Sequence, residues 1–302
     1  MFGRFIILAV LAVPLCLGFT AARADDEETA KTQDPNAFGE IDTGQFFGFL
    51  QGSDVGSRGD KDMEAETNFE GQRRGSTYQA FSQSLSSEYA ITDRFSLELA
   101  LYGNSARIRN IAGFDDTNRT DFSGLSAAFK SVLVPRGKGS PFGLAVTVEP
   151  GWARMEDQSG TRIVGYSGEV RMISDTELMP NRLYLALNGA YEPNISKDKG
   201  ATQWARNGRV DLASALVYRI TPRLALGTNL EYLRQYNDTN LQKLLGQAIY
   251  LGPMLHFQMT PQTFTLLALE TQVSGRAVGE TRALDLTNFA RFRAKIRFGL
   301  AF

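Results

Sequence analysis

The chain has 302 residues with 32 basic and 33 acidic side chains, and this near balance does not suggest nucleic-acid binding. Its only cysteine is Cys16, which excludes a scaffold held together by internal disulfides. Beyond the amino terminus, no apolar run is long enough for a membrane-spanning helix. A membrane protein of this composition would therefore have to be a β-barrel.

The amino terminus has the pattern of a cleaved signal peptide, and we assign residues 1–24 to it. Arg4 precedes an apolar run, and the small residues Ala22 and Ala24 mark a cleavage site before Asp25. An uncleaved anchor is the alternative, but the apolar run is shorter than the ~20 residues that a spanning helix needs. Cleavage would leave 30 basic and 33 acidic residues in a mature chain without cysteine.

Residues 25–39 are acidic, contain proline and are poor in apolar side chains, which predicts a short disordered periplasmic tail. We assign residues 40–302 to a single β domain. The first strand is predicted at 41–52, although its phenylalanines fall on both faces. The polar segment 53–74, rich in glycine and aspartate, is predicted to be a long loop.

From residue 75 onward, apolar and polar side chains alternate in segments separated by turns, which is typical of β-strands with two different faces. Short and longer connections also alternate, as expected for periplasmic turns and extracellular loops of an outer-membrane barrel. Together with 41–52, the segments give about twelve strands, and they lie at 75–91, 95–101, 122–134, 144–148, 164–172, 183–191, 210–218, 224–232, 249–257, 267–273 and 292–302.

The last strand decides between a soluble sandwich and a barrel. Its even positions from 292 to 302 are apolar, and basic residues occupy the odd positions from 291 to 297. A strand that ends on a terminal phenylalanine resembles the insertion signal of Gram-negative outer-membrane proteins, carried here by Phe298, Leu300 and Phe302. The fold class we predict is therefore all-β, a transmembrane antiparallel up-and-down β-barrel of about twelve strands.

In such a barrel the opposite face of each strand points into the lumen. One interpretation is a salt-bridged interior that holds the barrel in shape. The other is a water-filled path in which the basic side chains of the last strand attract anions. The sequence leaves both interpretations open. The charged side chains predicted to line the lumen are Arg291, Arg293, Lys295, Arg297, Glu270, Glu231, Glu169, Arg171, Glu149 and Glu98.

His256, the only histidine, lies on the inward face of its strand and close to a predicted periplasmic turn. Acyl-transfer chemistry needs a nucleophile and a base within hydrogen-bond reach. Barrel lipid hydrolases place such a set near the extracellular leaflet, so His256 is at the opposite end. We predict no catalytic residues and no cofactor, and regard the protein as a non-enzyme.

Acidic residues alternate in the predicted first loop, at Asp60, Asp62, Glu64 and Glu66. Their oxygens could bind calcium or magnesium, but Ala65 stands where an EF-hand loop requires glycine. A solvated acidic loop is the preferred interpretation, and no metal site is predicted.

A family resemblance is carried by residues 250–257, YLGPMLHF, followed by a Thr-Pro turn and an aliphatic strand. This segment resembles that of outer-membrane transporters of the phenol-degradation (meta-pathway) family. The resemblance implies import of aromatic or other small hydrophobic compounds across the outer membrane.

We therefore expect an outer-membrane β-barrel that acts as a passive channel or transporter for small solutes. The second hypothesis is a structural or adhesion barrel that anchors surface loops. The third, less favoured, is an outer-membrane lipid hydrolase. The expected partners are outer-membrane lipid and lipopolysaccharide, the barrel assembly machinery and an unidentified small solute, with no nucleic acid.

Overall fold

The chain forms a closed antiparallel β-barrel of twelve strands in a computed structural model that describes residues 38–39, 41–137 and 140–302. Each strand pairs with its neighbours in sequence, and β1 pairs with β12, which confirms the predicted fold class. The strands are β1 (Lys61–Gly71), β2 (Gly75–Thr92), β3 (Phe95–Ile111), β4 (Thr117–Val134), β5 (Phe142–Met155), β6 (Arg162–Met179), β7 (Leu183–Asp198), β8 (Ala205–Arg219), β9 (Leu224–Tyr236), β10 (Leu244–Gln258), β11 (Thr263–Ala277) and β12 (Phe292–Ala301).

The outer surface of the barrel carries large apolar side chains, as the sequence alternation requires. On β12, Ile296 is 54% exposed and Phe298 is 45% exposed, whereas Lys295 and Arg297 are buried on the inner face. Because leaving so much apolar surface in water is unfavourable, this outer face is suited to lipid. Within the described ranges, no helix has the length and apolarity needed to cross a bilayer.

The connections define two ends of the barrel. The turn end holds residues 93–94, 135–137, 140–141, 180–182, 220–223 and 259–262, and the loop end holds 72–74, 112–116, 156–161, 199–204, 237–243 and 278–291. β2, β4 and β6 have 18 residues each, well beyond the ~10 that a bilayer requires. Several connections are therefore shorter than we predicted from the polar segments of the sequence. The strands continue past the membrane into those segments.

The first strand was predicted in the wrong place. Residues 41–52 form no strand, and β1 occupies Lys61–Gly71, inside the segment that was predicted to be a loop. The polar composition of β1 has a simple cause: Glu64 and Glu66 point into the lumen, while Met63 and Ala65 face outward. The predicted signal peptide, 1–24, and residues 25–37 of the predicted tail lie outside the described residues.

Residues 41–58 instead fold inside the barrel, and we call them the plug segment. Phe46, Phe47 and Leu50 are almost completely buried against the inner faces of β7 to β11. Clustered phenylalanines can all be buried in this way because the segment is irregular, whereas a strand would send every second one to the lipid face.

Two glycines give the plug segment its shape. Gly48 has a φ of +67°, the left-handed region that favours glycine. At Gly52 a Cβ atom would lie 1.9 Å from the carbonyl oxygen of Thr43. The main chain at Gly52 can therefore approach that at Thr43 only because Gly52 has no side chain.

Polar contacts attach the plug segment to the barrel wall. Asn188 forms two hydrogen bonds with the main chain of Gln51, at 2.9 and 3.0 Å. The Asn229 side chain donates to the carbonyl oxygen of Phe47 at 2.9 Å. Of the predicted tail, Phe38 and Gly39 are described, and the Gly39 carbonyl accepts a hydrogen bond from Arg219 at 2.7 Å at the turn end.

We expect the purified protein to migrate differently in unheated and boiled samples on sodium dodecyl sulfate gels. The strands pair around a closed ring, so detergent alone should not open the sheet. Gel mobility and a far-ultraviolet circular dichroism spectrum provide the measurement. A spectrum dominated by helix, or identical mobility before and after boiling, would contradict the fold.

We further predict that Phe302→Ala slows assembly into the outer membrane more than it destabilises the finished barrel. The ring is 62% exposed, so its loss should cost at most ~2 kcal/mol. The main-chain hydrogen bonds between Phe302 and Lys61 remain in this variant. Phe257→Ala, which removes another exposed ring near the turn end, is the matched control. Equal assembly rates for the two variants in cells would contradict the terminal-signal hypothesis.

Candidate solute pathway

The basic side chains of β12 lie at the centre of the barrel interior, where each is paired with carboxylates. Arg293 contacts Glu270 at 3.2 Å and also Glu231. Lys295 lies 3.2 Å from Glu66. These cations are therefore neutralised by their neighbours, and they do not form a free basic stripe.

Arg297 continues the same network toward the turn end. Its guanidinium lies 2.6 Å from Glu66 and 3.4 Å from Glu64. Arg291, which was predicted with this group, precedes β12, is exposed and lies with its guanidinium over the Phe292 ring. Of the predicted basic ladder, the barrel thus brings three members together and leaves Arg291 at the loop end.

The other predicted lumen charges also point inward. Arg171 forms two hydrogen bonds with Glu169 at 2.7 and 2.9 Å. Glu149 accepts a hydrogen bond from the Tyr102 hydroxyl at 3.2 Å. Glu98 lies on the inward parity of β3, opposite Glu88 of β2. Their role in lining a conducting path stays a prediction.

Sequence reasoning missed Glu64 and Glu66, the main partners of Arg297, because they were assigned to a loop. The signal was present: Asp60, Asp62, Glu64 and Glu66 recur every second residue, which is the period of a strand. A barrel strand with acidic side chains on its inner face has the same polar composition as a solvated loop. Composition alone therefore led to the wrong assignment of this segment as a loop.

The plug segment covers this network from the turn end. The Phe49 ring lies 4.6 Å from the Arg293 guanidinium and 5.2 Å from the Lys295 ammonium, within range of cation–π attraction. Gln45 of the plug also contacts Arg297. The plug and the charged network therefore form one continuous contact across the lumen.

An ion pair anchors the plug segment on the opposite wall. Arg136 lies 2.8 Å from Asp54 of the plug and 3.1 Å from Asp175 of β6. Burial would raise the pKa of the Asp54 carboxyl, but Arg136 and hydrogen bonds from Thr43 hold that pKa below its ordinary value. Asp54 is therefore charged at neutral pH, and the anchor is intact there.

The loop end is narrowed by the connection between β11 and β12. Residues 278–291 fold onto the inner wall, where Phe289 is buried beside Leu233 and Tyr250. Arg73 donates to the carbonyl oxygen of Thr287 at 3.1 Å and so joins two loops. The longest loop-end connection thus covers the lumen.

Among the cavities formed by the described residues, one lies toward each end of the barrel. The loop-end cavity has a volume of about 220 Å³ and includes Glu156, Asp157, Glu192, Asn194 and Arg209 in its lining. The turn-end cavity has about 300 Å³ and lies between the plug segment and the wall. Both are lined by charged and amide side chains that can bind water or small polar solutes.

His256 lines the turn-end cavity but is packed between aromatic rings. Phe46 of the plug lies edge-on at 5.1 Å between ring centroids, and Phe264 stacks on the other side at 5.2 Å. The histidine is 5% exposed. Its position at the turn end, under the plug, is that of a packing residue in the lumen.

The solved structures that resemble this chain include the COG4313 outer-membrane channel of Pseudomonas putida F1, with a TM-score of 0.58, 13% identity, and coverage of 87% of this chain and 100% of the channel. The β domain of the Bordetella autotransporter BrkA has a TM-score of 0.53 and 10% identity, and the match covers 81% of this chain and 100% of that domain. The translocator domain of the autotransporter NalP from Neisseria meningitidis has a TM-score of 0.52 and 11% identity, and the match covers 83% of this chain and 91% of that domain. At these identities the likeness establishes the fold of outer-membrane barrels.

By sequence, residues 39–302 match the model of a family of unknown function, DUF6662. No match was found among curated protein sequences. The match to DUF6662 does not confirm the resemblance to the phenol-degradation family.

We predict that the double variant Arg293→Glu/Lys295→Glu strongly destabilises the barrel. Each change replaces the cationic partner of a buried carboxylate, and breaking a buried pair costs about 3–5 kcal/mol. The unfolding midpoint in urea, followed by gel mobility, is the measurement. Arg291→Glu is the control and should have little effect, because that side chain is exposed. A normally stable double variant would contradict the ion-paired interior.

Proposed function

The chain belongs to the DUF6662 family of unknown function, and we propose that it is a passive outer-membrane channel for small polar solutes, opened by displacement of the plug segment. The observation that carries this proposal is the polar interior. Charged and amide side chains line cavities at both ends of the barrel, and residues of the plug segment line the cavity at the turn end. A purely structural barrel has no need for such a lining.

The size of the barrel supports this proposal. Eight-stranded barrels can be filled by side chains, whereas sixteen or more strands leave an aqueous channel. Twelve strands lie between these limits, and here the extra space holds the plug segment and the inward loop. The plug is part of the same chain but not of the sheet, so it can move without breaking any strand pairing.

The chemistry of the interior favours polar cargo. Cations and carboxylates at the centre, such as Arg171 with Glu169, can replace the water shell of a polar solute, whereas an apolar solute would remove water from these charges without replacing its hydrogen bonds. We therefore favour small polar solutes over the aromatic or hydrophobic compounds implied by the sequence resemblance.

An adhesion barrel is the main alternative, and the loops argue against it. Adhesion requires extended surface segments, but the loop-end connections are short, and the longest, 278–291, folds inward. A lipid hydrolase is supported less well, because His256 is enclosed by Phe46 and Phe264 at the turn end.

The proposed location and partners follow from the same features. We place the barrel in the outer membrane with its turn end toward the periplasm, since short turns face that side in this class of protein. Lipid and lipopolysaccharide would contact the apolar outer face, and the barrel assembly machinery would recognise the terminal strand with Phe298, Leu300 and Phe302.

A disulfide that locks the plug tests the proposal, and the mature chain would bring no cysteine of its own. A Cβ atom at Gly48 would lie 3.2 Å from Asn229 Cγ, close to the position of a cysteine sulfur. We predict that Gly48→Cys/Asn229→Cys conducts weakly in planar bilayers when oxidised, and that its conductance rises severalfold on reduction.

The two single cysteine variants serve as controls, because each carries one of the changes without the crosslink. Gly48→Cys places a side chain at a positive φ, at a cost of about 1–2 kcal/mol, so its plug should already be loosened. Equal conductance of the oxidised and reduced double variant would contradict a mobile plug. Absence of conductance in every state would contradict a channel.

A further inference from the structure

We propose that the pathway selects small cations over anions, an inference that rests on the channel function proposed above. Both cavities carry more carboxylates than cations, while the basic residues between them are paired. A permeating ion would therefore meet a negative region, a centre whose basic side chains are paired with carboxylates, and a second negative region.

The turn-end cavity is the more acidic of the two. Its lining includes Asp42 of the plug segment with Asp62, Glu64 and Glu88 of the wall, and one arginine, Arg219. The Arg219 guanidinium is engaged by main-chain carbonyl groups, including that of Gly39. Asp54 also lines this cavity, but Arg136 neutralises it.

The strand register forces these carboxylates together. Asp62 of β1 lies directly opposite Glu88 of β2, and Glu88 lies directly opposite Glu98 of β3. Directly opposite side chains have Cβ atoms about 5 Å apart, and like charges in this arrangement destabilise a sheet. A cation within the cavity would relieve this repulsion.

Glu64 supplies an independent observation at the same place. The residue is only 9% exposed and lines the cavity, and Arg297 contacts its Oε2 atom at 3.4 Å. Its Oε1 atom is buried and has no hydrogen-bond partner among the described residues. A buried carboxylate oxygen without a donor is costly, so this oxygen is available to a positively charged ligand.

The loop-end cavity repeats the pattern with different residues. Among the described residues, Arg209 is the one basic side chain in its lining, and it lies 2.7 Å from Glu192. The other two carboxylates of this lining, Glu156 and Asp157, form no ion pair with Arg209. Asp157 accepts a hydrogen bond from the neutral amide of Asn104. Two carboxylates at this mouth are thus balanced by no cation of the cavity lining.

These charges act where solvent enters the lumen. Uncompensated carboxylates at a narrow mouth raise the local concentration of cations and lower that of anions, over a distance set by the Debye length of about 8 Å at physiological salt. The three basic side chains of β12, Arg293, Lys295 and Arg297, do not reverse this effect, because Glu66, Glu231 and Glu270 balance their charge. Of the two interpretations that the sequence left open for these basic side chains, the pairing favours the salt-bridged interior, and we expect the mouths to give a preference for cations.

The reversal potential in a potassium chloride gradient tests the inference, using the full-length reduced Gly48→Cys/Asn229→Cys protein so that the plug is released. We expect potassium to permeate better than chloride, with a preference that weakens as ionic strength rises. Adding Asp62→Asn/Glu88→Gln, or separately Glu156→Gln/Asp157→Asn, should lower the potassium-to-chloride permeability ratio severalfold.

The control is Asp115→Asn/Asp198→Asn, which removes two exposed carboxylates outside both cavity linings and should leave the ratio unchanged. Folding is checked by gel mobility, and Asp62→Asn/Glu88→Gln should raise the unfolding midpoint because it removes like-charge repulsion. Chloride preference, or a ratio unaffected by both cavity variants, would overturn this inference. A lack of conductance would instead overturn the proposed function.

Discussion

The contact between β1 and β12 is the constraint on which the rest of the structure depends. Ten residue pairs join the two strands, from Asp62 opposite Ala301 to Gly71 opposite Phe292. Without this pairing, two strand edges would expose main-chain donors and acceptors to lipid, where nothing can satisfy them. The same contact sets Glu66 directly opposite Arg297, so closure of the sheet and pairing of the interior charges occur together.

Closing twelve strands creates an interior that side chains alone do not fill, and the chain fills it in two ways. The plug segment packs Phe46 and Phe47 against the wall at the turn end, and Phe289 of the last loop packs at the other end. Between them lie ion pairs, which are favourable only because each buried charge has a partner within a few ångströms. The interior thus holds ion pairs at its centre and irregular chain segments at its ends.

This arrangement relates stability to function. The ion pairs at the centre hold the barrel in shape and neutralise its basic side chains, whereas carboxylates without a cationic partner lie at the two mouths. A channel built in this way would take its ion preference from the mouths rather than from the conspicuous basic residues of its last strand. Movement of residues 41–58 would then control flow without disturbing the sheet.

The sequence by itself determined that the chain forms a closed sheet and which faces of β2 to β12 point inward, because a period of two is local and lipid demands an apolar outer face. Its count of about twelve strands agreed with the structure only because a strand predicted at 41–52 stood in for the missed β1. It could not determine that residues 41–58 lie in the lumen, since a buried irregular segment and a lipid-facing strand are both rich in phenylalanine. Nor could it pair Arg297 with Glu64 and Glu66, more than 200 positions away. Tertiary structure decided these points, because only barrel closure brings the two ends of the chain together.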